Sequence, residues 1–266
     1  MLGIDDVWTD PSKWPDGSDT FVEAFAKGLL VIAAFHHERS LSLSDISKRT
    51  KLPRAGVRRL MHTLIALGFV RQSGDAFTLT PRVLQLGFSY LSSLSLREVA
   101  QPVIETLSRE TDEVVAISVL DGANVIYVTR AEVTSVLRRG LTIGSRIPAF
   151  CTSMGRVLLA GLSPEECDAN LNGSERRAWT RMTTTNPGKL SREIDIVRKQ
   201  GWSFVGEELE IGACGIAVPI RDPNGSTVAA INLSTNLARH SPQALVKNFL
   251  PRLMKAGQQI EQHLIV

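Results

Sequence analysis

The stretch KRTKLPRAGVRR, residues 48–59, carries six Lys or Arg side chains and no acid, and it runs directly into the apolar LMHTLIALGFV. Arg54, Arg58 and His62 share one face of a helix. Apolar residues recur on the opposite face at i, i+3, i+7 and i+10: Val57, Leu60, Leu64 and Leu67. We therefore predict a helix with one face in a core and a basic face in solvent. This combination of an apolar and a basic face restricts the fold more than any other feature of the sequence.

The segments around this helix predict a winged helix-turn-helix over residues 21–80. FVEAFAKGLLVIAAF predicts a first helix with an apolar face of Phe21, Phe25, Leu29 and Ile32. LSLSDISKRT predicts a second helix, with Ser42 or Ser44 as its N-cap, and Pro53 begins the third at position N1. Gly68 ends the third helix, and FVRQ and AFTLT around SGD predict a hairpin. Three helices followed by a small hairpin are typical of this DNA-binding motif.

The charge is concentrated in the same segment. Residues 36–82 carry nine Lys or Arg against three Asp or Glu, whereas residues 1–35 carry six acids against two bases, in a chain of net charge +3. A basic patch on a nearly neutral protein indicates a local polyanion site, and we expect the third helix to enter the major groove of promoter DNA. The predicted DNA-contacting residues are Ser44, Lys48, Lys51, Arg54, Ala55, Arg58, Arg59, His62 and Arg71.

Two alternatives exist for this basic segment. It could be a solvated helix face, or an interaction module that binds an acidic protein. Of the basic residues, Arg59 and Lys48 are expected at phosphates, which position a protein without reading sequence. Gly56 lies inside the predicted recognition helix, where a glycine lowers the stability of the helix by about 1 kcal/mol relative to alanine.

Composition excludes several classes of protein. The three cysteines, Cys151, Cys167 and Cys214, are too scattered for a disulfide framework and lack zinc spacing. No apolar run approaches the roughly 20 residues that span a bilayer. We expect a cytoplasmic protein without metal or cofactor, in which residues 1–20 are a loose tail.

A linker and a second domain are predicted after the hairpin. TPRVLQLGFSYLSSLSL predicts a linker helix over 81–97, with Thr80 as N-cap. Residues 83–96 carry no charge, so we expect burial in a homodimer contact, or against the first helix of the same chain. Residues 98–266 alternate strand and helix patterns, with hairpins at DGA and DPNG and a final helix that Pro251 must kink. The predicted fold class is α+β, an antiparallel sheet with helices.

Several segments together resemble the IclR family of bacterial transcriptional regulators, most of all the branch that controls aromatic-acid catabolism through the β-ketoadipate pathway. They are FVEAFAKGLLVIAAF, RRLMHTLIALGFV, LTPRVLQLG, IPAFCTSMGRVLLA, GEELEIGACGIAVPIRDPNG and AAINLS. The resemblance implies a winged-helix domain, a linker helix and a GAF-like domain that binds a small, usually acidic effector. It also implies a homodimer or a tetramer. The family often has Arg-Ser where this chain has Cys214-Gly215.

An effector cavity is expected at the start of the helix in IPAFCTSMG, because free backbone N–H groups and hydroxyls there suit a carboxylate. By resemblance, GACGIAVP and INLS lie against it, and Arg138 is a further candidate partner for an anion. The predicted effector-binding residues are Arg138, Ala149, Phe150, Cys151, Thr152, Ser153, Met154, Cys214, Ile216, Asn232 and Ser234.

The alternative function is an enzyme with Cys151 or Ser153 as nucleophile. A nucleophile needs a base within hydrogen-bond reach, and only His240 of the five histidines is a candidate. The chain has no G-x-S-x-G, H-E-x-x-H, Walker or G-x-G-x-x-G motif. We therefore expect no catalysis, and each Cys is expected to be a small buried hydrophobe.

Overall fold

The computed structural model describes residues 10–15, 20–36, 38–86, 96–132 and 141–264. Contacts divide the chain into two compact units, residues 1–92 and residues 93–266. Each unit has a hydrophobic core of its own.

The first unit is a winged helix-turn-helix, as predicted. After a short 3-10 turn at Pro11–Lys13, the order is α1 (Glu23–Ala33), β1 (Leu41–Ser42), α2 (Leu43–Thr50), α3 (Arg54–Ala66), β2 (Val70–Ser73) and β3 (Ala76–Leu79). The strands form an antiparallel sheet in the order β1-β3-β2. The two-residue strand β1 was not predicted, and it pairs with Ala76 and Phe77 of β3, next to the turn of the hairpin.

Local signals fix the ends of the helices. The Ser42 side chain accepts a hydrogen bond from Asp45 N–H, and the Asp45 carboxylate accepts one from Ser42 N–H, which forms a capping box. Lys51 ends α2 in the left-handed region, at φ 57°. Pro53 is the N-cap of α3 and not its first helical residue, as was predicted, so the helix begins one residue later, at Arg54.

The predicted inward faces of two helices need correction. Phe25 is 68% exposed, and α1 instead buries Leu30 and Val31. Both stripes of α1 are apolar, so periodicity alone does not decide which one meets the core. In α3, Met61 is buried and Leu67 is exposed, because Leu67 lies beyond the last helical turn.

The end of α3 is bonded to the start of the predicted linker. Thr80 Oγ1 donates to Gly68 O at 2.6 Å, and Arg82 Nη1 donates to Leu67 O at 2.8 Å. Thr80 also caps a 3-10 turn at Pro81–Val83, as predicted for its N-cap role. Residues 84–86 continue as helix, and residues 87–95 of the predicted linker helix lie outside the described residues.

The second unit is an α+β domain. In chain order its elements are α4 (Leu96–Thr111), β4 (Val114–Asp121), β5 (Asn124–Ala131), β6 (Arg146–Pro148), α5 (Ser153–Ala160), α6 (Pro164–Asn172), α7 (Pro187–Gln200), β7 (Ser203–Gly206), β8 (Ala213–Arg221), β9 (Thr227–Asn236), α8 (Pro242–Ala244) and α9 (Leu250–Glu261). A π-helical turn at Leu245–Phe249 precedes Pro251 and accommodates the predicted kink. Of these elements, α4 and β6 were not predicted.

Helices cover the two faces of one antiparallel sheet, whose strand order is β6-β5-β4-β9-β8-β7. Along β8, Gly215 faces Ser153 of α5, whereas Val218 faces Gly257 of α9. Since successive residues of a strand point to opposite faces, Gly215 and Ala217 face α5, whereas Ile216 and Val218 face α9. In this middle part of β8, parity separates the residues beside α5 from those beside α9.

Candidate functional site

All nine predicted DNA-contacting residues are exposed on the first unit. Ser44 lies in the first turn of α2, Lys48 lies in its last turn, and Lys51 follows it. Arg71 lies on β2 of the hairpin. The remaining five lie on α3: Arg54, Ala55, Arg58, Arg59 and His62.

A groove runs between the start of α2, α3 and the hairpin. Four of the predicted residues line it: Ser44, Arg54, Arg58 and His62. The other five lie outside the groove. The groove also contains Gln72 and the acid Asp75 of the hairpin, which the sequence analysis did not assign. The arrangement places basic side chains beside polar groups, as a base-reading surface requires.

Five of the six cations in residues 48–59 make no salt bridge within the described part of the chain. The exception is Arg49, which pairs with Glu38 and donates to Ala34 O at 3.1 Å. Arg49 therefore has a structural role, since it ties α2 to the segment after α1. The unneutralised cations remain available to phosphates.

The second unit contains a cavity of about 160 Å³ at the start of α5. Its lining mixes apolar and polar residues, with contributions from α5 and the turn before it, from the five strands β5, β6, β7, β8 and β9, and from the segment after β7. The lining residues are Tyr127, Leu141, Ile147, Cys151, Thr152, Ser153, Met154, Val205, Glu207, Glu208, Leu209, Glu210, Ala213, Cys214, Gly215, Ser234 and Thr235.

The start of α5 offers hydrogen-bond donors to the cavity. Thr152 is the N-cap, and its hydroxyl accepts from Gly155 N–H at 3.2 Å. Ser153 is only 3% exposed, and its hydroxyl makes no hydrogen bond within the described residues. The N–H groups of Ser153 and Met154 are the first two of the helix and have no carbonyl partner among those residues. These groups suit a carboxylate oxygen.

A second hydroxyl reaches the same place from β9. Asn232 Nδ2 donates to Ser234 Oγ at 2.7 Å, so the Ser234 proton is free to donate to another acceptor. Ser234 lines the cavity, whereas Asn232 does not, and its buried Oδ1 has no hydrogen-bond partner among the described residues. Asn232 therefore orients Ser234 rather than touching the cavity.

A buried ion pair forms the acidic wall of the cavity. Arg156 is 5% exposed, and its Nη2 donates to Glu208 Oε1 at 2.7 Å while its Nε donates to Phe150 O at 2.9 Å. Glu208 Oε2 accepts from Thr184 N–H at 2.9 Å. The carboxylate that lines the cavity is thus compensated by a cation and by a backbone donor.

Gly155 is required for α5 to pack where it does. A Cβ at this position would lie 2.1 Å from Ala149 O, a backbone atom. Only glycine allows this approach, which brings the start of α5 against the turn after β6.

The structure brings six of the predicted effector residues to the cavity: Cys151, Thr152, Ser153, Met154, Cys214 and Ser234. Ala149 and Phe150 are buried but do not line it. Ile216 is a correction, because it has the parity of Val218 and lies on the α9 face of the sheet. Arg138 lies outside the described residues.

The acidic part of the lining was not predicted from the sequence; it consists of Glu207, Glu208 and Glu210. Their signal was the segment GEELEI, which was used for the resemblance without any chemistry being assigned to it. Tyr127 and Thr235 were also missed, because long-range pairing of strands brings them to the cavity.

The environment of the candidate nucleophile does not favour catalysis. Burial, followed by the charge of Glu208, raises the pKa of the Cys151 thiol to about 12, so the thiol is protonated at neutral pH. His240 Nε2 lies 3.2 Å from Glu113 Oε1, a buried carboxylate that also pairs with Arg239. Among the described residues, no group of His, Cys, Asp or Glu could hold a metal ion, and no helix is long and apolar enough to span a membrane.

Comparisons with known proteins decide the family. A model of the IclR helix-turn-helix domain matches residues 24–74, and a model of the C-terminal domain of bacterial IclR transcriptional regulators matches residues 88–262. The chain belongs to the IclR family. It is a transcriptional regulator rather than an enzyme, as the sequence analysis expected.

Individual members of the IclR family resemble the chain over nearly its whole length. The Pca regulon regulatory protein of Pseudomonas putida is 41% identical over 246 residues, which cover 92% of this chain and 84% of that protein. The crystal structure of a transcriptional regulator from Rhodococcus sp. RHA1 is 46% identical and superposes with a TM-score of 0.81, covering 92% of this chain and 98% of the other.

An IclR homologue from Microbacterium hydrocarbonoxydans, solved as a complex with 4-hydroxybenzoate, is 25% identical and has a TM-score of 0.78, covering 90% of this chain and 98% of the other. The α+β fold of the second unit is thereby that of IclR regulators.

Proposed function

We propose that this regulator binds a small aromatic or β-keto carboxylic acid in the cavity at the start of α5, and that it controls genes of aromatic catabolism. One observation carries the proposal: the unused N–H groups of Ser153 and Met154 converge with the hydroxyls of Ser153 and Ser234. Such a set of donors stabilises a carboxylate. The similarity to a Pca regulon regulatory protein and to a homologue solved with 4-hydroxybenzoate supports this class of ligand.

The proposal includes a homodimer or tetramer that acts on DNA in the cytoplasm. Two winged helices related by a two-fold axis fit a pseudo-palindromic site. Leu84 and Leu86, at the start of the predicted linker helix, are 73% and 52% exposed in the single chain. Covering them in a subunit contact would remove apolar surface from water.

For DNA binding, the test is the loss of two cations from the groove. We expect Arg54→Ala and Arg58→Ala to abolish sequence discrimination, because a good bidentate contact to a base is worth about 1–3 kcal/mol. Genomic fragments enriched by the wild-type protein would serve as the specific DNA, measured against a scrambled duplex. Arg109→Ala removes the same charge from α4 of the other unit and is the control. Unchanged footprints in both groove variants would contradict the assignment.

For the effector, the test is a thermal-shift panel with protocatechuate, 4-hydroxybenzoate, β-ketoadipate, phenylacetate and glyoxylate. A ligand at about 100 times its Kd adds roughly 2.7 kcal/mol of stability. We expect Ser153→Ala to weaken binding of the acid by about 10-fold or more, since a hydrogen bond to a charged group contributes about 1.5–3 kcal/mol. Asn232→Ala should weaken it as well, because Ser234 loses the donor that orients its hydroxyl. Ser226→Ala, in the exposed β8–β9 turn, is the control. Normal binding by both Ser153→Ala and Asn232→Ala would show that the effector binds elsewhere.

A further inference from the structure

We propose that Gly215 sets the depth of the effector cavity and determines which acids fit. This inference rests on the proposed function, since it concerns the same cavity. Gly215 lines the cavity from β8, on the face of the sheet that α5 covers.

Gly215 lies between the two hydroxyls that face the cavity. A Cβ built at this position would lie 3.0 Å from Ser153 Oγ and 3.6 Å from Ser234 Oγ. The position is otherwise an ordinary strand residue, which pairs with Ser234 and has no positive φ. Glycine is therefore not needed here for backbone conformation. What it provides is space between the two hydroxyls.

The space over Gly215 has a chemical consequence. Neither the Ser153 hydroxyl nor the Ser153 N–H is used by the described residues, and Asn232 leaves the Ser234 proton free. One carboxylate above Gly215 can accept from the two serines together. A methyl group at position 215 would occupy the space of the carboxylate and separate it from at least one donor.

The volume of the cavity indicates how large an effector can be when its carboxylate lies above Gly215. At about 160 Å³ it is smaller than the roughly 300–1,000 Å³ of pockets for drug-sized ligands. The apolar part of the lining includes Tyr127, Ile147 and Met154. A flat, ring-sized acid can place its ring against these side chains while its carboxylate reaches Gly215. A methyl group at position 215 shortens the cavity, so such a ligand can keep its ring in place only by moving its carboxylate away from the serine donors.

The experiment is isothermal titration of 4-hydroxybenzoate and protocatechuate into wild type, Gly215→Ala and Gly215→Ser. We expect both variants to bind at least 10-fold more weakly. Gly257→Ala is the matched control, because it adds a methyl group against the opposite face of the same sheet, 3.4 Å from Val218 Cγ2. It should bind as wild type does. The nearest atom to the new Cβ at position 215 is the end of a serine side chain, which can rotate, so the apo variants should melt within a few degrees of wild type.

A double variant separates loss of depth from disturbance of the Ser153 hydroxyl. The methyl group at position 215 fills the same space whichever side chain stands at 153, so Gly215→Ala should still weaken binding about 10-fold in the Ser153→Ala background. A further loss under about 3-fold there, or unchanged binding by the Gly215→Ala single variant, would overturn the inference and leave the proposed function intact. If the wild-type protein binds neither acid nor any other member of the panel, the proposed function is wrong and the inference falls with it.

Discussion

Arg156 is the side chain whose removal should affect the second unit most. Its guanidinium donates to Phe150 O and Glu208, and its Nη1 lies 3.0 Å from Glu193 Oε2 on α7. Arg156→Met keeps most of the buried stem and removes the charge. Glu208, which is 7% exposed, is then left without its cation. Breaking a buried ion pair by removing one partner costs about 3–5 kcal/mol.

This cost can be measured as a shift in the melting temperature. At about 2–4 °C per kcal/mol for a unit of this size, we expect the second unit to melt roughly 6–20 °C lower. Differential scanning calorimetry of the full chain reports it, because each unit has its own core and the transition of the first unit should not move. Lys189→Met is the control: Lys189 pairs with Glu193 at 3.7 Å on the surface, where ion pairs contribute under about 1 kcal/mol.

The double variant Arg156→Met/Glu208→Gln tests the cause. It removes both charges, and the amide can still accept from Thr184 N–H, so most of the lost stability should return. A decrease below about 2 °C in the single variant, or no recovery in the double variant, would refute the reasoning that an uncompensated carboxylate is responsible.

Three further predictions concern thiols, packing and capping. Burial raises the pKa of Cys151 to about 12 and that of Cys214 to about 11. Native protein at pH 8 should therefore react with Ellman's reagent far more slowly than protein unfolded in guanidinium. Equal rates would contradict this. In the unfolded chain the thiols ionise near pH 9, whereas in the folded chain they stay protonated to higher pH. Above pH 9 ionisation therefore favours the unfolded state and lowers the free energy of unfolding, while below pH 9 these thiols leave it unchanged. Melting temperatures measured over a pH series check this. Gly155→Ala should prevent soluble expression or native circular dichroism, because its Cβ would meet a backbone oxygen. Ser42→Ala should cost about 1 kcal/mol in urea unfolding of the first unit, and no change would discount the capping box.

The elements that sequence reasoning placed well are those whose signals are local. Ser42, a predicted N-cap, forms a capping box with Asp45 three residues later. Gly68, predicted to end α3, follows its last residues with φ 78°, a conformation that favours glycine. Such signals depend on neighbours along the chain, so they are readable before any tertiary contact is known.

The features that escaped prediction depend on distant contacts. Arg156 and Glu208 are 52 positions apart, and nothing near either residue indicates that they pair. Ile216 was assigned to the cavity by resemblance. Since β8 is apolar and covered on both sides, its sequence has no alternation that would have shown which face Ile216 takes. The inward face of α1 was misassigned for the same reason, since burial of Leu30 rather than Phe25 is decided by where α3 packs.

The two hydrogen bonds that join the end of α3 to residues 80–82 make a rigid corner. Leu67 O and Gly68 O are held by Arg82 and Thr80, so the chain has little torsional freedom between the recognition helix and the segment that leads out of the winged helix. We therefore expect a rotation of residues 80–82 to act directly on the end of α3. In the proposed dimer such a rotation would turn both copies of α3 at once, and even a small angle would move them out of register with half-sites one helical turn apart.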